Sequence, residues 1–272
     1  MNNPENNLLK YKKNVYSQNG EDGLAERIFE IIGVESKACC EFGAWDGIHL
    51  SNCRKLINEG WRALMIEGDK EKFKSLVKNY NDNNNVKSIN AYVDDAENNL
   101  NLIAENNSMN ELDYLSVDID GLDYEIFENL NIKPRVICIE VNAGHDPGNS
   151  NKIEKDIAKD NVGQSLVVFE EIGKRLGYGL VCYNGNAFFV RDDAINDSSL
   201  SAISSSDAYE EFLANLSKKE KEWLYLVNLG IVYPYYQFNN NLLSEKSLEL
   251  NIFDTARLKF IACMKKSIKK LL

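Results

Sequence analysis

The chain has 272 residues, 44% hydrophobic and 27% charged, an ordinary globular balance that allows a sizeable core and excludes wholesale disorder. Its longest apolar runs, such as Val136–Ile139, fall far short of the ~18 residues a membrane span needs, and Met1–Asn7 lacks the basic-then-apolar order of a secretory signal. Net charge is −11; Arg257, Lys259, Lys265, Lys266, Lys269 and Lys270 stand among residues 255–272 without an acid, so the remainder is at −17 and disfavours nucleic acid as a partner.

Residues 1–15 are expected to be a flexible N-terminus. From about residue 16 to 191 short apolar runs alternate with amphipathic stretches. Gly23–Gly33 places Leu24, Ile28, Ile31 and Ile32 on one helical face and closes on a glycine stop. Ser36–Phe42 is expected as a strand, Leu50–Glu59 as a helix closed by Gly60, and Trp61–Ile66 as the next strand. There follow a helix at Phe73–Tyr80, strands at Val86–Val93 and Asp113–Ile119, and a helix at Tyr124–Leu130. A strand at Pro134–Val141 and a helix at Ser165–Leu176, ended by Gly177, complete the alternation. Strands separated by helices predict a parallel sheet covered on both faces.

The last unit departs from this rhythm. Tyr178–Tyr183 and Ala187–Arg191 are joined only by Asn184-Gly185-Asn186, too short for a crossover helix, so the pair is an antiparallel hairpin. A parallel α/β sheet that finishes on a reversed strand is the order of class I methyltransferases; nicotinamide-binding Rossmann domains do not usually end this way. Beyond Arg191 the pattern becomes helical, which marks 192–272 as a helical extension opened by a serine-rich linker at Asp197–Ser206. Ser217-Lys218-Lys219-Glu220 is a capping box, and Asp254 is placed as the N-cap of a final helix to Leu272. That helix carries Leu258, Ile261, Met264, Ile268, Leu271 and Leu272 on one stripe beside its lysines. Such a stripe suits an anionic membrane surface, or packing on the chain's own domain or on a second copy in a homo-oligomer. Tyr233, Tyr235 and Tyr236 are either a wall for a stacked acceptor or packing around Pro234. The six cysteines contain no C-x-x-C pair, and their usage suits buried free thiols in a reducing cytoplasm.

Glu41-Phe42-Gly43-Ala44-Trp45-Asp46-Gly47 lies where the first strand meets its helix. Gly43 permits a sharp turn, and Gly47 leaves room for a ligand to approach. The pattern lacks the G-x-G-x-x-G that serves a pyrophosphate; E-x-G-x-x-x-G fits a ligand without phosphates, such as S-adenosylmethionine. Glu67 follows Gly43 by 24 residues at the end of the next strand, where a carboxylate accepts from both ribose hydroxyls. The plainer reading is a turn and a surface glutamate.

The segment Tyr16-Ser17-Gln18-Asn19-Gly20-Glu21-Asp22 resembles the S-Q-x-x-E-D start of FkbM-like methyltransferases. The resemblance continues through Glu41–Gly47, Leu50-Ser51-Asn52, Gly60-Trp61 and Ile66-Glu67-Gly68-Asp69. It then takes in Leu115–Gly121, where Asp120 stands at a position many members fill with Glu, and Ile139-Glu140-Val141-Asn142. Gly163–Leu166 and Asn186–Arg191 close the series, which covers about 16–191 in order and nothing beyond. The resemblance implies a Rossmann-like methyltransferase fold and methyl transfer, commonly to oxygen of sugars, glycolipids or natural products, as in polysaccharide biosynthesis.

Carried onto this chain, it would have Glu41, Gly43 and Gly47 cradle the methionine part of the cofactor. Ser51 or Asn52 would bind its carboxylate at a helix start, Glu67 the ribose, and Asp94 the adenine amino group. Gln18 would close the pocket, or simply belong to a helix cap with Ser17. Asp118, Asp120, Glu140, Asn142 and His145 are expected to converge where strands four and five end. His145 is either the base that relieves the acceptor of its proton or a loop histidine bonded to backbone. Asp118, Glu140 and Asn142 offer oxygen ligands for Mg²⁺ or Mn²⁺, or else hydrogen-bond cofactor or acceptor directly. The expected protein is thus a cytoplasmic O-methyltransferase of a small molecule or glycan, working in solution or at the inner membrane surface. An inactive cofactor-binding or scaffold member, and a nucleotide- or NAD-binding α/β enzyme, are the alternatives.

Overall fold

A computed structural model gives the fold and describes residues 7–92, 99–119, 122–141, 164–218 and 221. Seven strands form one sheet: β1 (Ala38–Phe42), β2 (Arg62–Glu67), β3 (Val86–Asn90), β4 (Tyr114–Val117), β5 (Val136–Glu140), β6 (Tyr178–Tyr183) and β7 (Asn186–Arg191). Their order is β3-β2-β1-β4-β5-β7-β6. The first five are parallel, and β7 runs antiparallel to both β5 and β6. This is the class I methyltransferase arrangement of the Rossmann-like α/β fold, and the short Asn184–Asn186 link dictates its reversed strand.

The central strands are largely apolar because both faces are covered; β1, β4 and β6 are buried along their whole length, whereas the edge strand β3 has no buried residue. The helices are α1 (Glu21–Ile32), α2 (Arg54–Asn58), α3 (Lys70–Tyr80), α4 (Leu100–Asn106), α5 (Asp123–Glu128), α6 (Leu166–Leu176), α7 (Asp192–Asn196) and α8 (Ser205–Asn215). Leu24, Ile28 and Phe29 of α1 join Trp61, Met65 and Tyr114 in one core cluster, with the Phe29 and Trp61 rings 5.2 Å apart. Phe127, Phe169 and Phe189 fill a second aromatic contact set.

Four elements differ from the sequence reading. Leu8–Tyr11, placed in a flexible N-terminus, is a 3-10 helix whose Leu8 and Leu9 are buried. The helix expected over Leu50–Glu59 shrinks to the five residues of α2, because Leu50 sits at φ +58° and the backbone after it is captured elsewhere. Helix α4, capped by the Asn99 side chain, was not anticipated. The serine-rich stretch ends as a cap: Ser204 Oγ accepts from Asp207 N at 3.1 Å, and α8 then lays Phe212 on Tyr183 of β6, ring centroids 4.9 Å apart. The unit that holds the sheet therefore runs to Asn215, past the boundary at 191 that composition implied, and residues 216–272 form a second unit. The capping-box helix beyond Lys221, the tyrosines at 233–236 and the basic final helix lie outside the described residues.

Five cysteines, Cys39, Cys40, Cys53, Cys138 and Cys182, are buried free thiols, as their apolar surroundings imply. Among the described residues no helix is long and apolar enough to cross a membrane.

Candidate functional site

Chain growth reverses between β1 and β4, the neighbours at the centre of the sheet. In an open α/β sheet the crevice beyond the strand C-termini at such a point is where ligands bind. Of the groups singled out from the sequence, Glu41, Gly43, Glu67, Asp118 and Glu140 stand at or beside the C-terminal ends of β1, β2, β4 and β5.

Glu41, the fourth residue of β1, is buried and wholly engaged with the loop ahead of α2. Its Oε2 accepts from Ser51 Oγ at 2.5 Å and Cys53 N at 3.2 Å, and its Oε1 from Asn52 N at 2.7 Å. Asn52 Nδ2 in turn donates to Ser116 Oγ of β4 at 2.9 Å. Burial pushes the Glu41 carboxyl up to about 7, against the pull of those hydrogen bonds, with the Asp118 charge adding to the rise. Ser51 and Asn52 precede a helix of only five residues; Ser51 Oγ donates to Glu41, and Asn52 Nδ2 gives one of its hydrogens to Ser116.

Gly43 and Gly47 are both required, for different neighbours. Gly43 (φ +83°) turns the chain off β1, and a Cβ there would lie 1.9 Å from the Asp118 carbonyl oxygen. The close approach of the Asp118 backbone after β4 therefore requires this glycine. Gly47 (φ +72°) faces α3 instead: an added Cβ would meet Tyr80 Cε2 at 2.4 Å and Leu76 Cδ1 at 2.6 Å. Helix packing, rather than ligand approach, explains that glycine.

Glu67 ends β2 beside this turn. Its Oε2 accepts from Trp45 N at 2.7 Å and its Oε1 from Asp69 N at 2.7 Å. The Asp69 side chain caps α3, so one carboxylate joins the loops after β1 and β2. Trp45 is held at φ +49° and is 44% exposed, and the Lys72 ammonium lies 5.4 Å from the ring centroid.

At the next strands, Val117 pairs with Ile139, so Asp118 and Glu140 stand side by side where β4 and β5 end. Asp118 is exposed and Glu140 half-buried. Asp94, Asp120, Asn142 and His145 lie outside the described residues, so the convergence expected around His145 and the Mg²⁺ or Mn²⁺ set are represented only by Asp118 and Glu140. Among the described residues no group of three His, Cys, Asp or Glu side chains could hold a metal ion. The other histidine, His49, is exposed, with Nδ1 2.6 Å from Asp46 Oδ2.

The segment quoted as Ser17–Asp22 is an N-terminal clamp. Asp22 Oδ2 accepts from the backbone of Val15, Tyr16 and Ser17 at 2.7–2.8 Å, while Ser17 Oγ accepts from Asp22 N at 3.0 Å. Gln18, half-buried, accepts from Asn14 Nδ2 through its backbone carbonyl at 2.7 Å. Glu21 belongs to the same segment. Its buried Oε1 accepts from Asn184 Nδ2 and Asn186 Nδ2, both at 3.1 Å, which ties α1 to the β6–β7 turn beside Glu140. Burial raises the Glu21 carboxyl. Neither that tie nor Arg54, described below, has a local signal, since each partner lies far away in sequence.

No protein-family model matches the chain, and no curated protein matches it either. Solved structures overlap it in part. A structure described as a candidate caffeoyl-CoA O-methyltransferase from Staphylococcus aureus is 14% identical, covers 65% of this chain and 85% of its own, and gives a TM-score of 0.43. A TehB-like SAM-dependent methyltransferase from Corynebacterium glutamicum is 13% identical over 68% of this chain and 92% of its own, TM-score 0.40. The N-terminal domain of EvdMO1, with SAH and D-fucose, is 13% identical over 62% and 80%, TM-score 0.38. At these identities and scores nothing about activity follows; the fold is defined by the strand order above.

Proposed function

We propose that this chain is an S-adenosylmethionine-dependent methyltransferase whose acceptor is an oxygen of a sugar, glycan or related small molecule. The observation that carries the reading is the pairing of Glu67 with the Gly43 turn at the crevice between β1 and β4, in a sheet that ends on a reversed strand. Each Glu67 oxygen has one amide donor and a further lone pair, so the carboxylate can accept ribose hydroxyls without giving up its loops. The chemistry supplied by the bound cofactor is an electrophilic methyl on a sulfonium.

The chain's own residues then orient and deprotonate the acceptor. Asp118 and Glu140 border the place where an acceptor hydroxyl must be held about 3 Å from the methyl. Their carboxylates would accept its hydrogen bond and fix its approach, and His145 is assigned the proton. The resemblance to FkbM-like chains supports oxygen of a glycan as acceptor, and the net negative charge disfavours nucleic acid.

Calorimetric titration with S-adenosylhomocysteine, and separately with NAD⁺, tests the reading. Binding of the first alone supports it; binding of NAD⁺ alone, or of neither, sinks it. Binding without turnover across a panel of sugar acceptors would make the chain an inactive member of the fold.

A further inference from the structure

The described arginines divide by partner. Arg27 pairs with Glu30, Arg135 with Asp113 and Glu35, Arg175 with Glu128, and Arg191 with Asp193. Arg62 is exposed at the start of β2. Arg54 differs: it is half-buried at the first position of α2 and makes no ion pair among the described residues. In a chain of net charge −11 carboxylates are not scarce, yet none among the described residues pairs with this guanidinium.

Aromatic rings hold Arg54 instead. Its guanidinium lies 5.1 Å from the centroid of Tyr80 and 5.8 Å from that of Tyr16. Both rings are tethered, since Tyr80 OH donates to the Gly47 carbonyl at 2.6 Å and Tyr16 OH accepts from Asn58 Nδ2 at 2.8 Å. Burial pushes the Tyr80 phenol up to about 12, so that ring stays uncharged. Arg54 N donates to Ser51 Oγ at 3.1 Å, and Arg54 Nε is buried without a hydrogen-bond partner among the described residues. A planar cation set between tyrosine faces is oriented without being neutralised. Its fork of donors matches carboxylate and phosphate oxygens. Among the neutral donors beside it, Ser51 Oγ and Asn52 N serve Glu41, and Asn52 Nδ2 gives one hydrogen to Ser116.

We propose that Arg54 is an anion receptor, binding a carboxylate or phosphate group of a ligand seated against the Gly47–Arg54 loop. The anion has two sources. One is the amino-acid carboxylate of the cofactor, and that arm rests on the function proposed above. The other is an acidic group on the acceptor, a uronate or a phosphate, which does not.

The test is titration of the wild type, Arg54→Gln and Arg54→Lys with three probes: S-adenosylhomocysteine, methylthioadenosine (the same nucleoside without the carboxylate) and inorganic phosphate. If the anion is the cofactor's, Arg54→Gln weakens S-adenosylhomocysteine by about 10- to 100-fold and leaves methylthioadenosine unchanged. If it is the acceptor's, phosphate binding is lost in Arg54→Gln while both nucleosides bind as before. Arg54→Lys, which keeps the charge without the fork, should recover part of either loss, and this separates an ionic role from a packing one. Equal binding of S-adenosylhomocysteine and phosphate by wild type and Arg54→Gln overturns the proposal, as does a wild type that binds neither. A wild type that binds phosphate but neither nucleoside refutes the proposed function and leaves the receptor standing.

Discussion

The two ends of the central strands bury a carboxylate each and treat it differently. At the N-terminal end Asp113 is fully buried, meets the guanidinium of Arg135 at 3.3 Å, and accepts from Glu35 N, Ser36 N, Ser36 Oγ and Lys37 N. Arg135 also donates to the Ile32 and Gly33 carbonyls, so charge and backbone at the end of α1 are closed together. At the C-terminal end Glu41 has only neutral donors, and its carboxyl is pushed up to about 7. A charge that is matched by a cation belongs to the scaffold. One held by neutral dipoles keeps its electrostatic demand, which suits the edge where a cationic sulfonium is proposed to sit.

Removing the matched end should cost most. Asp113→Ala leaves Arg135 buried and unmatched and should destabilise the fold by about 3–5 kcal/mol in chemical denaturation. Any variant that still folds should bind S-adenosylhomocysteine as the wild type does; weakened binding would erase the distinction between the two ends. Second comes the pH response of the unmatched end. The folded carboxyl of Glu41 is raised from 4.5 to about 7, so its stabilising protonation is complete below about 4.5 and is lost as pH rises through 7. The loss is about 3 kcal/mol over that window, and Glu41→Gln should flatten that part of the stability–pH curve whatever its own offset. A curve of unchanged slope would show that Glu41 is not the titrating group.

Glu67→Ala is expected to weaken S-adenosylhomocysteine by about 1–3 kcal/mol, because it removes a charged acceptor at the site as well as the tie between two loops. Unchanged affinity in calorimetry would take Glu67 out of the site. The smallest effect belongs to Tyr80→Phe. It deletes the bond to the Gly47 carbonyl and the hydroxyl's contact with Arg54, and should cost about 1 kcal/mol of stability. A much larger loss in thermal unfolding would show that the contact with Arg54, as well as the Gly47 bond, holds α3 in place.

The parts legible in the sequence are those set by local pattern. The strands, the glycine stops of α1 and α6, and the hairpin forced by Asn184–Asn186 follow from spacing alone. Glu67 at the end of β2 was also legible, because strand length and motif spacing fix it. What escaped depends on partners far along the chain. Leu50–Glu59 carries helical periodicity, yet Glu41 draws the Ser51–Cys53 segment toward β1, and only the stretch from Arg54 coils. Gly47 looks like a ligand's glycine until α3 arrives and fills the space with Tyr80. Leu8 and Leu9 look like a short apolar accident, since their burial depends on elements that a local window never contains.

The Glu21 tie has a consequence for synthesis. Its two asparagine partners come 163 and 165 residues later, so on the ribosome this carboxylate is made early and remains solvated until nearly the whole sheet has emerged. Closing such a long loop comes late and slowly in folding. The wall beside Glu140 is thus among the last features to form, and a nascent chain halted before Asn184 has the crevice's first strands without its final side.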